Sequence, residues 1–313
     1  MYQVRKNPNV LGVALIIISS IGFGLAPTFA KFSYDSGANA VGTLLARFSV
    51  ATLLMLVVRE TISRKKQATN QPRAKWPRPK IFGQLFLLGA LGYFIATILY
   101  FTAIENIDSG LAITIFYCNP IIVVLLSWWL LGNKPSPIIV WCLISTLIGV
   151  AIAAGQVGNA DAISVILVLI VAVEYAFYMI ISSKVLPNVD LPTGVTIVMF
   201  GAATSFAIYS IVAPDSVSVV FPGSLTGWVS VLMMALVATV IPTATLYAGM
   251  NLIGTGKTAI IQTFEPVASI VAGVIFLSEP LTVPRVIGAT FVIGAVGVLA
   301  TVESRSATRI IHQ

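Results

Sequence analysis

Long apolar runs separated by short polar, glycine or proline breaks dominate this chain. A helix needs about 20 such residues to cross the hydrocarbon core of a bilayer. The pattern predicts ten membrane-spanning helices, over 10–30, 40–58, 81–103, 109–131, 136–154, 161–183, 193–213, 227–248, 257–277 and 284–301. The first run follows Arg5 and Lys6 but continues to Lys31 without a small-residue cleavage site, so it reads as a retained helix and not as a signal peptide.

Composition agrees. Of the 313 residues, 58% are hydrophobic and 9% are charged, against about a quarter charged in soluble domains. A water-soluble fold is excluded, and little chain remains for an extramembrane domain. The net charge of +7 would suggest nucleic acid in a soluble protein, but the cations are placed otherwise. Arg59, Arg64, Lys65, Lys66, Arg73, Lys75, Arg78 and Lys80 fall in or beside one hydrophilic stretch. With the N-terminus inside, these, Arg5, Lys6, Lys134, Lys184, Lys257, Arg305 and Arg309 all lie on the cytoplasmic side, against Lys31 and Arg285 outside. The positive-inside rule then predicts both termini in the cytoplasm. The outer loops carry Asp35, Glu105, Asp108, Asp161, Asp215 and Glu279 instead. Cys118 and Cys142 lie in apolar runs and read as small buried hydrophobes, while His312 is the only histidine. Neither a metal site nor a His-based catalytic triad is expected, and no cofactor.

The chain also repeats itself. TAIENIDSGLAITIFYCNP (102–120) aligns without gaps on AGMNLIGTGKTAIIQTFEP (248–266) at an offset of 146, with Ile107, Gly110, Ile115 and Pro120 over Ile253, Gly256, Ile261 and Pro266. After each proline come an apolar run, a polar break (Gly132-Asn133-Lys134-Pro135; Ser278-Glu279-Pro280) and a glycine-bearing last span (Leu147 to Val150; Val292 to Ala295). Two five-helix units follow, 1–156 and 157–313. An odd helix count inverts the second unit relative to the first, as in many secondary transporters.

At these positions the sequence resembles the drug/metabolite transporter superfamily, in its EamA-type branch of two five-helix repeats. The resemblance covers about 9 to 301 and rests on Phe23-Gly24, Lys31, Ala46-Arg47-Phe48, Asn119-Pro120, Glu265-Pro266, Leu131-Gly132-Asn133 and Leu277-Ser278-Glu279-Pro280. It departs at Asn119 and Asn133, where Glu or a small residue is common in relatives, and at Glu174, where a small or aliphatic residue is expected. The resemblance implies an integral membrane carrier for a small metabolite, usually an exporter, often coupled to protons or to exchange.

The residues themselves offer candidates. Glu174 lies near the centre of the sixth predicted span, where a charged carboxylate costs at least about 2.5 kcal/mol. It reads as a proton carrier, as a counter-charge for a cation resting on Tyr175 or Tyr178, or as a hydrogen-bonded structural group. Glu265 and Asn119 precede Pro266 and Pro120. A proline frees a carbonyl one turn earlier, and symmetry-related broken helices point to a central binding site. Tyr117 and Gln262 stand close by. Arg47, within the second span, should face the bundle and pair with an acid, with carbonyls or with a substrate carboxylate.

Other features carry less. Trp128, Trp129 and Trp228 belong to interfacial belts, and Lys31 should snorkel. Tyr93, Tyr100, Trp141 and Tyr247 lie deeper, with lipid or helix contact the stronger expectation over a cavity lining. Gly89 and Gly92, and Gly294 and Gly297, should allow close helix packing. Gly254-Thr255-Gly256-Lys257-Thr258 mimics the end of a phosphate-binding loop, but Asn251 stands where the full motif needs glycine, so an interhelical turn is expected.

The resulting expectation is a secondary transporter, an exporter or exchanger of an amino acid, amine or similar metabolite, with proton coupling open. A carrier of a neutral or anionic metabolite, a membrane-embedded enzyme and a channel are the alternatives. The expected partners are a small-molecule substrate and the lipid bilayer of a bacterial cytoplasmic membrane, not nucleic acid, with a homodimer compatible.

Overall fold

The computed structural model describes residues 8–69, 72, 75–104, 115–154, 161–212, 219–278 and 281–311. Arg5, Lys6, Arg73, Glu105, Ile107, Asp108, Gly110, Asp215, Glu279, Pro280, His312 and the opening of the fourth predicted span lie outside the described residues.

Every regular element among the described residues is helical. In chain order these are α1 (Pro8–Gly24), α2 (Ala26–Tyr34), α3 (Ala40–Ala68), α4 (Pro79–Leu87), a first π segment (Leu88–Tyr93), α5 (Phe94–Ile104), α6 (Asn119–Leu131), α7 (Pro137–Ala154), α8 (Ala162–Val185), α9 (Leu191–Val212), α10 (Leu225–Ala235), a second π segment (Leu236–Val240), α11 (Ile241–Ile253), α12 (Thr255–Gln262), α13 (Glu265–Leu277) and α14 (Val283–Ile311). Among the described residues, seven stretches are long and apolar enough to cross a membrane: Pro8–Tyr34, Ala40–Ala68, Pro79–Tyr100, Ala162–Asn188, Leu191–Val212, Leu225–Ile253 and Thr255–Leu277. Asn119–Leu131, Pro137–Ile152 and Val283–Leu299 are shorter apolar helices. Of the ten expected spans, seven coincide with helices of full crossing length among the described residues.

Three departures stand out. The first span is broken at Leu25 because Pro27 has no N–H to give the Phe23 carbonyl. Helix α3 runs ten residues past the expected end at 58, into the stretch read as loop. Arg, Lys, Glu and Gln are good helix formers, and Arg59 is buried with partners of its own: its Nε donates to Thr193 Oγ1 at 2.9 Å and its guanidinium lies 3.8 Å from the Trp76 ring. Helix α14 likewise continues beyond 301.

Two stretches of the chain share these details at the offset of 146. The turns at Tyr117–Cys118 and Thr263–Phe264 match, as do the helix starts at Asn119 and Glu265 and the helix ends at Leu131 and Leu277. Both helices end on a left-handed residue, Gly132 (φ 73°) and Ser278 (φ 54°). Each π segment has a carbonyl that a side chain from another helix satisfies. Ser205 Oγ donates to Ala90 O at 2.8 Å, and Arg47 Nη2 donates to Ala238 O at 2.9 Å.

Close packing joins distant parts of the chain: α7 on α14, α1 on α11, α3 on α9 and the first π segment on α9. At the last crossing a Cβ on Gly89 would stand 1.8 Å from Val198 O, and one on Gly201 would stand 2.2 Å from Phe86 O. Gly92 is similarly tight, 2.8 Å from the Tyr178 ring. Gly294 and Gly297, by contrast, have nothing within 4 Å, so the close packing expected of them is not found. The contact between α7 and α14 falls instead at Gly149, against Gly288 O.

Candidate functional site: a polar cavity where broken helices meet

A cavity of about 140 Å³ is lined by Phe23, Arg47, Tyr93, Phe116, Tyr117, Asn119, Tyr175, Tyr178, Leu246, Ala259, Gln262 and Glu265. Interrupted helices supply much of this wall. Phe23 precedes the α1–α2 break, Tyr117 and Asn119 flank the start of α6, and Gln262 and Glu265 flank the gap between α12 and α13. Tyr93 closes the first π segment. Gly24 lets the α1 break sit directly on this gap, since a Cβ there would lie 2.7 Å from Glu265 O.

The prolines set the geometry without lining the cavity themselves. Pro120 leaves the Phe116 carbonyl without its helical donor, and Asn119 Nδ2 donates to that carbonyl at 2.8 Å. One N–H of the Asn119 amide is used locally, and the residue lines the cavity. Pro266 breaks the ninth span in the same register and puts Glu265 at the start of α13. A third proline, Pro242, deprives the Ala238 carbonyl of its donor, and Arg47 fills the vacancy. Arg47 Nε also donates to Thr239 Oγ1 at 2.6 Å, and that hydroxyl in turn donates to Met234 O.

Arg47 and Glu265 line one cavity without pairing, since the salt bridge among the described residues is Arg59–Glu60. Aromatic rings fill the space around them. Tyr175 and Tyr178 stack at 5.9 Å, and Tyr93 stands edge-on to Tyr178 at 5.8 Å. The hydroxyl of Tyr178 is bonded to that of the fully buried Tyr247, and Tyr93 to Thr243 at 3.2 Å. Tyr175 donates to Gln262 Oε1 at 3.1 Å, while Gln262 Nε2 is buried with no partner.

Seven residues singled out from sequence thus meet at one place: Arg47, Tyr117, Asn119, Tyr175, Tyr178, Gln262 and Glu265. Glu174 does not join them. It faces the first π segment, with Oε1 3.3 Å from where a Cβ on Gly92 would stand and Oε2 buried and unpartnered. Tyr93 was expected against lipid or helix and lines the cavity instead. Phe23, Phe116 and Leu246 had no polar signal to distinguish them. Pro242 was the readable clue to the partner of Arg47, one turn beyond Ala238.

The model of the EamA-like transporter family matches residues 10–155 and again 162–301, nearly the whole chain. The chain belongs to the EamA-like transporter family. Similar proteins include "Uncharacterized transporter sll1319" of Synechocystis, 23% identical over 95% of each chain. Another is "Uncharacterized transporter YcbK" of Bacillus subtilis, 22% identical over 91% of each. A solved structure described as "Crystal structure of protein" superposes with a TM-score of 0.74 over 96% of this chain and 99% of its own, at 18% identity, and so shares the fold. This EamA-like protein is an integral membrane transporter and not an enzyme; its partners are the bilayer and a small-molecule substrate.

Proposed function

We propose that the protein is a secondary transporter, an exporter or exchanger that carries an amino acid or a similar zwitterionic or cationic metabolite through the central cavity by alternating access. The observation that carries this reading is the cavity with Arg47 and Glu265 on its wall, unpaired with each other, among aromatic rings. A substrate carboxylate matches the guanidinium. An ammonium matches the Glu265 carboxylate and the faces of Tyr175 and Tyr178. A neutral molecule would give neither charge an ionic partner, leaving Arg47 to Ala238 O and Thr239 and Glu265 to the Tyr117 hydroxyl.

Alternating access is supported by two stretches that share breaks and caps at one offset, and by a π segment in each half of the chain. Such correspondence is what two inverted five-helix units, 1–156 and 157–313, would produce. Basic residues favour cytoplasmic termini, and the bacterial relatives favour the plasma membrane. Glu174 lies apart from the cavity wall, which suits a proton carrier better than a counter-charge for substrate.

Counterflow in proteoliposomes tests the proposal. Vesicles loaded with unlabelled amino acid should accumulate the labelled compound transiently, whereas a pore would only equilibrate it. Absence of counterflow across zwitterionic and cationic metabolites would overturn the reading.

A further inference from the structure

A second cavity, of about 300 Å³, lies between α3, α4 and α9, with Thr52, Leu56, Trp76, Phe82, Thr196 and Phe200 on its wall. Its chemistry is the opposite of the central one. The two threonine hydroxyls donate to carbonyls of their own helices, Thr52 to Phe48 O at 2.8 Å and Thr196 to Pro192 O at 2.7 Å, so they turn only methyls toward the space. No polar surface lines it. A hydrophilic metabolite has nothing to bind there, and a hydrocarbon chain has nothing to repel it. Phe200 and Trp76 are about half exposed, so the wall reaches the outer surface of the bundle.

The rim is basic. The Arg59 guanidinium lies over the Trp76 ring at 3.8 Å, and the exposed Lys75, Arg78 and Lys80 alternate along the chain with Trp76 and Phe82. Arg64 and Lys65 extend from the same end of α3. An acyl chain gains no hydrophobic energy by moving from the bilayer into an apolar cavity, because lipid tails are equally apolar. Retention must therefore come from the headgroup, and clustered Lys and Arg at a membrane surface select anionic phosphate.

We propose that this cavity holds one acyl chain of an anionic phospholipid, whose phosphate rests on the basic residues flanking Trp76. The lipid would span α3 and α4 on one side and α9 on the other, and so contact both repeats of the chain. The proposal does not depend on what the central cavity carries.

Native mass spectrometry of the full chain in detergent tests it, with phosphatidylglycerol and phosphatidylcholine titrated separately. We expect one phosphatidylglycerol per chain, held at least about tenfold more tightly than phosphatidylcholine. The triple variant Lys75→Glu, Arg78→Glu, Lys80→Glu should lose that preference. Thr196→Trp, which fills the cavity, should lose the lipid, and the milder Thr196→Leu should weaken it if the larger side chain prevents folding. Equal retention of the two lipids, wild-type retention in the charge-reversed or filled variants, or a free fatty acid in place of the phospholipid would overturn the proposal.

Discussion

The Tyr175 hydroxyl donates to Oε1 of Gln262 at 3.1 Å, fixing the amide so that its Nε2 stands buried and unpartnered at the cavity wall. A buried donor without a partner costs about 1–3 kcal/mol, which a substrate oxygen would recover on binding. Replacing Gln262 with Met keeps the bulk and removes both the donor and the acceptor of the Tyr175 hydroxyl. Substrate KM should rise about five- to a hundredfold in a transport assay, normalised to the amount of folded protein. An unchanged KM would remove Gln262 from the binding set.

Arg47 has a structural duty beside its proposed role in binding, because it satisfies the Ala238 carbonyl that Pro242 leaves without a donor. Hydrogen bonds to charged donors contribute about 1.5–3 kcal/mol. Arg47→Met should therefore lower the melting temperature in detergent as well as abolish transport. Arg47→Lys should retain more stability than transport, since an ammonium cannot reproduce the planar fork. Equal losses of both in the Lys variant would make Arg47 structural alone.

Glu174→Gln separates proton movement from substrate binding. The amide keeps the shape next to Gly92 and removes the titrating group. Counterflow, which needs only substrate exchange, should persist, while uptake driven by an imposed pH gradient should fall to the background of empty vesicles. Loss of both together would place Glu174 in substrate binding or folding.

Packing predictions check the fold itself. Gly89→Val forces side-chain atoms into the Val198 carbonyl and should destabilise by at least about 1–3 kcal/mol, read as loss of monodisperse protein. Gly294→Ala meets nothing within 4 Å and should be neutral or stabilising by up to about 1 kcal/mol. Ser278→Gly should also stabilise, by about 1 kcal/mol, because Ser278 holds a left-handed backbone (φ 54°) that its counterpart Gly132 adopts freely.

Much of this was legible beforehand because membrane burial and proline chemistry act locally. The apolar runs located the helices, and Pro120 and Pro266 located two of the breaks that meet at the cavity. Charge inside the bilayer pointed to Arg47 and Glu265 on the same ground. What escaped depends on long-range contacts. The Leu88–Tyr93 π segment has no residue signature, and its carbonyl is satisfied by Ser205, more than a hundred residues away. Glu174 carried the same signal as Glu265, yet helical register alone could not tell a face turned to the cavity from one turned to Gly92. The length of α3 escaped because Arg59 finds Thr193 and Trp76 only after folding.

In the proposed carrier, Arg47 and Glu265 together select a substrate bearing both charges. Counterflow by the wild type, Arg47→Lys and Glu265→Gln, each offered an amino acid, the corresponding amine and the corresponding carboxylic acid, tests it directly. The wild type should exchange the amino acid best and the carboxylic acid least, Glu265→Gln should lose the amine first, and Arg47→Lys should narrow the gap between amino acid and amine. Equal exchange of all three compounds by the wild type, or unaltered selectivity in both variants, would contradict it.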